Sequence, residues 1–301
     1  MFALRRLFVP IGSASLAIVG SGYYFRDELR SFAATAIVEP AAAAFHSHEH
    51  SQLNVAAKQS YFNDSYVPLT RWNKNWDNRE PSVLVDDVKY AKASDAEKAE
   101  MLKAVMPTAT RHIFLIRHGQ YNFHNEQQNL TELGREQALI LGKRLANSKI
   151  KFNNVTMSSM TRAMETTKLA LSQLVDRTIP TFEDSMLEEG APYPPEPPHT
   201  EWRPKINEYF TEGSRIEAAF RKYIHRAEPS QKETSYELIV CHANVIRYFI
   251  CRALQFPPEG WLRMSLGHTS ITWLVIRPNG YVHLRSCGDI GHLPSEKATF
   301  S

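Results

Sequence analysis

The chain has 301 residues, and 35 Lys and Arg against 32 Asp and Glu leave a formal net charge of +3. With 43% hydrophobic and 22% charged residues, it has a globular composition that excludes a disordered, collagenous or polytopic membrane protein. The small basic excess gives no footprint for nucleic acid as a partner, and Cys241, Cys251 and Cys287, with no short-spaced pair, exclude a disulfide framework.

The apolar run from Leu7 to Phe25 holds 19 residues without a charge. At ~1.5 Å per residue it spans about 28 Å, close to a bilayer core. Residues 1–30 are therefore expected to form a targeting segment with one transmembrane helix. Arg5 and Arg6 precede the run, while Arg26, Asp27, Glu28 and Arg30 cancel after it, so everything beyond residue 30 is expected across the membrane. A cleaved secretory signal competes, with Ala34-Thr35-Ala36 as its site, but charges separate that site from a run longer than the usual apolar stretch. Mitochondrial targeting that retains the helix is a third reading, since no acid precedes Asp27.

Residues 31–105 read as a linker with islands. His46, His48 and His50 have a spacing that could hold a metal ion, but no fourth ligand accompanies them and no metal is expected. In Trp72-Asn73-Lys74-Asn75-Trp76-Asp77, two large aromatics outside any periodic pattern need a burial partner, on this chain or on another subunit. Residues 94–104 read as a helix leading into the domain that occupies 106–301.

From Arg111 onward, strand and helix patterns repeat. Strands are predicted at 112–116, 154–158, 180–182, 237–241, 271–276 and 281–285, and helices at 131–146, 161–175, 215–226 and 244–254. This alternation predicts an α/β domain with a mainly parallel central sheet flanked by helices on both faces. In such folds the site lies beyond the carboxyl ends of the strands. Arg117-His118-Gly119 follows the first strand, Arg162 follows the second, and His242 follows 237–241.

Singly, each of these residues has an ordinary structural explanation. Together, two arginines and two histidines at one crevice form positive charge that requires an anion, and guanidinium forks suit phosphate. The chemistry this permits is phosphoryl transfer to an imidazole. His118 must be neutral to attack, and nearby cations favour that state. Arg117, Arg162 and a protonated His242 would then hold the phosphoryl oxygens together with His118. A leaving alkoxide also needs a proton. Glu189, in Leu187-Glu188-Glu189-Gly190, is the expected acid, with Glu188 as the alternative. No cofactor is required.

Arg117-His118-Gly119, Ser158-Ser159-Met160-Thr161-Arg162-Ala163, the Leu-x-Glu element ending at Glu189, and His242 resemble the histidine phosphatase superfamily, with its phosphoglycerate mutase-like fold. The likeness runs from Arg111 to Ser301. Within the superfamily, Cys241-His242-Ala243-Asn244-Val245-Ile246-Arg247-Tyr248, the run Leu254 to Leu262, and Ile276 to Gly280 are similar to the mitochondrial serine/threonine-protein phosphatases. The tryptophan island is similar to their multimerisation motif, with Trp72, Asn75, Trp76 and Asp77 matching and Asn73 standing where an aspartate is usual.

The resemblance implies dephosphorylation of phosphoserine, phosphothreonine and phosphohistidine in phosphoprotein substrates, and self-assembly into a homo-oligomeric ring. It also implies single-pass anchoring in the inner mitochondrial membrane with the catalytic domain on the intermembrane-space side, the outer membrane being the alternative. Roles in mitochondrial quality control, mitophagy and cell death belong to the same implication.

Competing readings come from different classes. A cysteine phosphatase is suggested by Cys241 and Arg247, spaced Cys-x5-Arg, but the intervening residues lack the glycine that wraps backbone amides around phosphate. A small-molecule phosphatase or mutase is disfavoured by Glu196 and Glu201 in the Pro-rich stretch 191–204. A non-enzymatic membrane-anchored scaffold would be marked by a lost catalytic residue, and none is lost.

Overall fold

A computed structural model describes residues 71–176 and 178–300. The apolar run 7–25 and the histidines at 46–50 lie outside the described residues. No helix among the described residues is long and apolar enough to cross a membrane.

Three short helices come first: α1 (Pro81–Leu84), α2 (Asp87–Lys92) and α3 (Asp95–Ala104). Ser94 caps α3 through a capping box with Glu97, which fixes the start of the helix expected there. The domain then alternates: β1 (Arg111–Arg117), α4 (Glu132–Asn147), β2 (Asn154–Ser158), α5 (Thr161–Leu171), β3 (Thr181–Asp184), α6 (Ile206–Tyr223), β4 (Ser235–Cys241), α7 (Ala243–Ala253), β5 (Ile271–Ile276) and β6 (Val282–Asp289).

The strands form a six-stranded sheet in the order β3-β2-β4-β1-β5-β6. β1, β2, β3 and β4 are parallel, whereas β5 runs antiparallel to β1 and to β6. A hairpin joins β5 to β6, and Gly280, at φ +84, takes the left-handed position its turn requires. The sheet is thus mainly parallel, with an antiparallel β5 that hydropathy alone cannot orient.

Every position of β1 is buried because both faces of the sheet are covered. Ile113 and Leu115 pack with Ile216, Phe220, Val245 and Phe249 of α6 and α7. Phe114 and Ile116 pack on the opposite face with Leu141, Leu145 and Ala170 of α4 and α5. Two helices per face make a three-layer sandwich. α6 begins at Ile206, nine residues before the predicted start, and its first turns leave Ile206 and Phe210 78% exposed.

The tryptophan island packs onto this same chain. Trp72 and Trp76 lie against the α6/α7 core, and Trp76 Nε1 donates to the Gly280 carbonyl at 2.8 Å. Asp77 accepts from the Arg226 backbone N–H at 2.8 Å and from Arg226 Nε at 3.0 Å and Nη2 at 2.5 Å. Asn75 Oδ1 accepts from the Glu80 N–H at 3.0 Å, and Asn73 exchanges two bonds with Gln255.

Candidate active site

Three parallel strands end at one crevice. β1 delivers Arg117 and then His118, β2 delivers Ser158 just ahead of α5 with its Arg162, and β4 delivers His242 as the residue preceding α7. α5 and α7 start here without side-chain caps, so their first amides and the positive ends of their dipoles favour an anion. The backbone after β1 passes so close to α4 that a Cβ on Gly119 would lie 2.6 Å from the Gly134 carbonyl oxygen. Only glycine allows that approach, which brings the loop after His118 against the helix.

His118, 2% exposed, is fixed as one tautomer. Its Nδ1 lies 2.7 Å from the Gly119 carbonyl oxygen, which can only accept, so Nδ1 carries the proton. Arg162 Nε, which can only donate, lies 3.2 Å from Nε2, so the lone pair is there. Burial, then His242, Arg117 and Arg162, push its pKa well below the ordinary histidine value, so the ring is neutral. A neutral imidazole with its lone pair facing a guanidinium is the protonation state a nucleophile needs.

Arg162 is held at its far side by Gln128, whose Oε1 accepts from Nη1 at 2.5 Å, and its guanidinium lies 4.6 Å from the centre of the Tyr121 ring. Arg117 is buried, and desolvation foremost lowers its pKa to about 10 despite the attraction of Glu189, which leaves it cationic at neutral pH.

His242 is 0% exposed and places Nε2 2.8 Å from Ser158 Oγ, while Nδ1 is buried without a partner among the described residues. The expected protonation of His242 is opposed by its surroundings. Burial, then Arg162, Arg117 and Arg215, hold its pKa well below the ordinary value. Ser158 can donate to Nε2, in which tautomer Nδ1–H is left for an anion.

The two carboxylates separate in role. Ser159 Oγ donates to Glu188, which ties that side chain down. Glu189 Oε1 accepts only a long bond, from the Gly190 N–H at 3.3 Å, among the described residues. Burial raises its pKa, opposed by the Gly190 N–H, Arg162 and Arg117, so it keeps its proton to higher pH than a free carboxyl. A protonated carboxyl beside two arginines can donate to a leaving oxygen. Cys241 is the last residue of β4 and fully buried, and burial drives its thiol pKa far up, which removes the thiolate that cysteine chemistry needs.

Sequence reading missed the residues that hold this constellation. Thr166 Oγ1 accepts from the Gly119 N–H at 2.9 Å, Ser158 meets His242, and Tyr121 and Gln128 frame Arg162. His268 meets Arg117 at 3.0 Å from a loop 151 residues away. Ser158, at the end of the predicted second strand, and Thr166, one helical turn after Arg162, carried a signal. No group of side chains suited to a metal ion occurs among the described residues.

Comparison with known proteins identifies the family. The model of the histidine phosphatase superfamily (branch 1) matches residues 113–288. The chain is 63% identical over 238 residues to a Caenorhabditis briggsae protein named serine/threonine-protein phosphatase Pgam5, mitochondrial, covering 79% of this chain and 84% of the relative. It is 54% identical over 296 residues to the Caenorhabditis elegans protein of that name, covering 98% of each. A crystal structure of phosphoglycerate mutase from Plasmodium falciparum aligns at 35% identity and a TM-score of 0.45, over 64% of this chain and 100% of the other. On the family match and these identities, this chain belongs to the histidine phosphatase superfamily, branch 1.

Proposed function

We propose that the chain is a mitochondrial protein phosphatase that hydrolyses phosphoserine and phosphothreonine through a phosphohistidine intermediate on His118. The observation that carries this reading is the His118 tautomer, with Nδ1–H on Gly119 and the Nε2 lone pair facing Arg162. In the first step Nε2 attacks phosphorus, the bond from phosphorus to the seryl or threonyl oxygen breaks, and the Glu189 carboxyl supplies the proton to that oxygen. In the second step water attacks phosphorus, Glu189 takes its proton, the N–P bond breaks, and inorganic phosphate leaves a neutral His118. Arg117, Arg162 and the His242 N–H meet the phosphoryl oxygens as charge spreads over them.

The protein substrate and the mitochondrial location follow the relatives' names, and alignment with the Caenorhabditis elegans relative over 98% of each chain supports carrying both over. Anchoring by the run 7–25 and assembly through Trp72, Asn75, Trp76 and Asp77 belong to the same reading. The assembly role requires that some bonds the motif makes to its own chain be made instead to a second copy.

Glu189→Gln tests the acid. Loss of one general acid is expected to lower kcat on phosphothreonine peptides about 10²–10³-fold. Because burial raises its pKa, Glu189 keeps its proton to higher pH than a free carboxyl, so wild-type kcat/KM should fall as pH rises through that pKa, and the variant should lose this limb. A variant that retained both wild-type kcat and the limb would exclude Glu189 as the acid.

A further inference from the structure

Arg117 is held from outside its own strand. Its Nη1 donates to the Leu266 carbonyl at 2.5 Å and its Nη2 to His268 Nε2 at 3.0 Å. A guanidinium only donates, so His268 accepts at Nε2 and carries its proton on Nδ1. That proton meets Thr299 Oγ1 at 2.9 Å. The same oxygen accepts from Gln137 Nε2 at 2.8 Å, which uses its second lone pair.

Gln137 is fully buried on α4. It also donates to the Lys297 carbonyl at 2.7 Å, and its Oε1 accepts from the Gln120 N–H at 2.9 Å. The His268 N–H donates to the Thr299 carbonyl at 3.0 Å. One glutamine thus ties residues 297–299 to the backbone two residues beyond His118, and one histidine ties them to Arg117. The roles of both His268 nitrogens and of the Gln137 amide are thereby determined.

His268 is 3% exposed, and burial, then the Arg117 charge, lower its pKa to about 3, so it remains an acceptor across any assay range. With both nitrogens committed it cannot shuttle protons, although its ring lies 5.7 Å from that of His118. What remains is orientation.

We propose that His268 is a positioning residue, which with Thr299 and Gln137 fixes the plane of the Arg117 guanidinium, so that residues 297–299 set how firmly the site grips a phosphoryl group. This rests on the proposed role of Arg117 in holding that group. Each Nη bears two N–H groups, so both anchoring bonds can persist while the fork meets an anion. A guanidinium free to rotate would have to be ordered at each turnover.

The test uses p-nitrophenyl phosphate turnover and vanadate inhibition, on His268→Leu, His268→Gln and Thr299→Val, each made alone and in an Arg117→Ala background. His268→Leu is expected to lower kcat/KM roughly tenfold and to weaken vanadate by a similar factor, as for loss of an orienting contact. His268→Gln, whose Oε1 reaches as far as Nε2, should recover to within about threefold of wild type, and Thr299→Val should lose about threefold. In the Arg117→Ala background these substitutions should change kcat/KM less than about twofold, because coupled residues are not additive.

Equal losses in both backgrounds, or a His268→Gln enzyme as poor as His268→Leu, would overturn the proposal. If His268→Leu does not fold, Thr299→Val carries the same comparison, and its unchanged kinetics would overturn the role of residues 297–299. An Arg117→Ala enzyme as active as wild type would instead overturn the role given to Arg117 in the proposed function.

Discussion

Replacing His118 by alanine is expected to lower kcat on phosphoserine and phosphothreonine peptides by at least about 10³-fold, with the fold intact. The size follows from the mechanism. Without an imidazole, water must attack a phosphomonoester directly, and the site keeps only the electrostatic help of Arg117 and Arg162. The fold should survive because His118 belongs to neither apolar cluster, and among the described residues its ring nitrogens meet only the Gly119 carbonyl and Arg162. Steady-state kinetics with a thermal melt on the same sample separates the two effects. Activity within tenfold of wild type would remove His118 from the chemistry.

The largest stability effect is expected far from the crevice, at Asp77. Its side chain is 1% exposed and that of Arg226 is 2% exposed. Removing one partner of a buried ion pair leaves the other charge uncompensated, at a cost of about 3–5 kcal/mol. Asp77→Ala should therefore lower the urea unfolding free energy by that amount. Arg226→Met on top of it should restore much of the loss, because no buried charge then remains. A change below about 1 kcal/mol in Asp77→Ala would show that the 72–77 segment is not fastened by this pair.

The pH dependence has a fixed sign. Burial raises the Asp77 pKa, but the bonds and charge of Arg226 outweigh it and hold the carboxyl below 3.8. A depressed folded-state pKa stabilises above the unfolded value and is lost as pH falls through the folded one. The contribution of Asp77 should accordingly be complete above about pH 5 and fade at lower pH.

The cluster of Arg117, His118, Arg162 and His242 is legible in the sequence because Arg117, His118 and His242 stand at the ends of recognisable apolar strands and Arg162 opens a helix just after another. Strand ends converge in an α/β sheet whatever the strand order, so the residues could be grouped before the order was known. What the pattern could not carry is tertiary. His268 reaches Arg117 from a loop with no periodicity, and Thr299 and Gln137 support it from opposite ends of the domain. The early start of α6 was hidden because Ile206 and Phe210 face outward. The direction of β5 depends on the connection from α7, not on its apolar residues.

His242 shows a different limit. Charge counting expects a protonated ring beside an anion, whereas burial and the charges of Arg162, Arg117 and Arg215 disfavour the cationic form. The N-terminal aromatics also needed coordinates: Trp76 donates to Gly280, 204 residues away, which no local pattern reports.

The proposed mechanism requires the phosphoryl group to pass through His118. The most direct measurement is rapid quenching of the full chain with a phosphothreonine peptide at alkaline pH, where phosphohistidine survives, followed by peptide mass spectrometry. A phosphoryl adduct on His118 Nε2 that forms and decays at rates accounting for turnover is the predicted result. An adduct on Cys241 or any other residue, or one on His118 that decays more slowly than the enzyme turns over, would contradict the account.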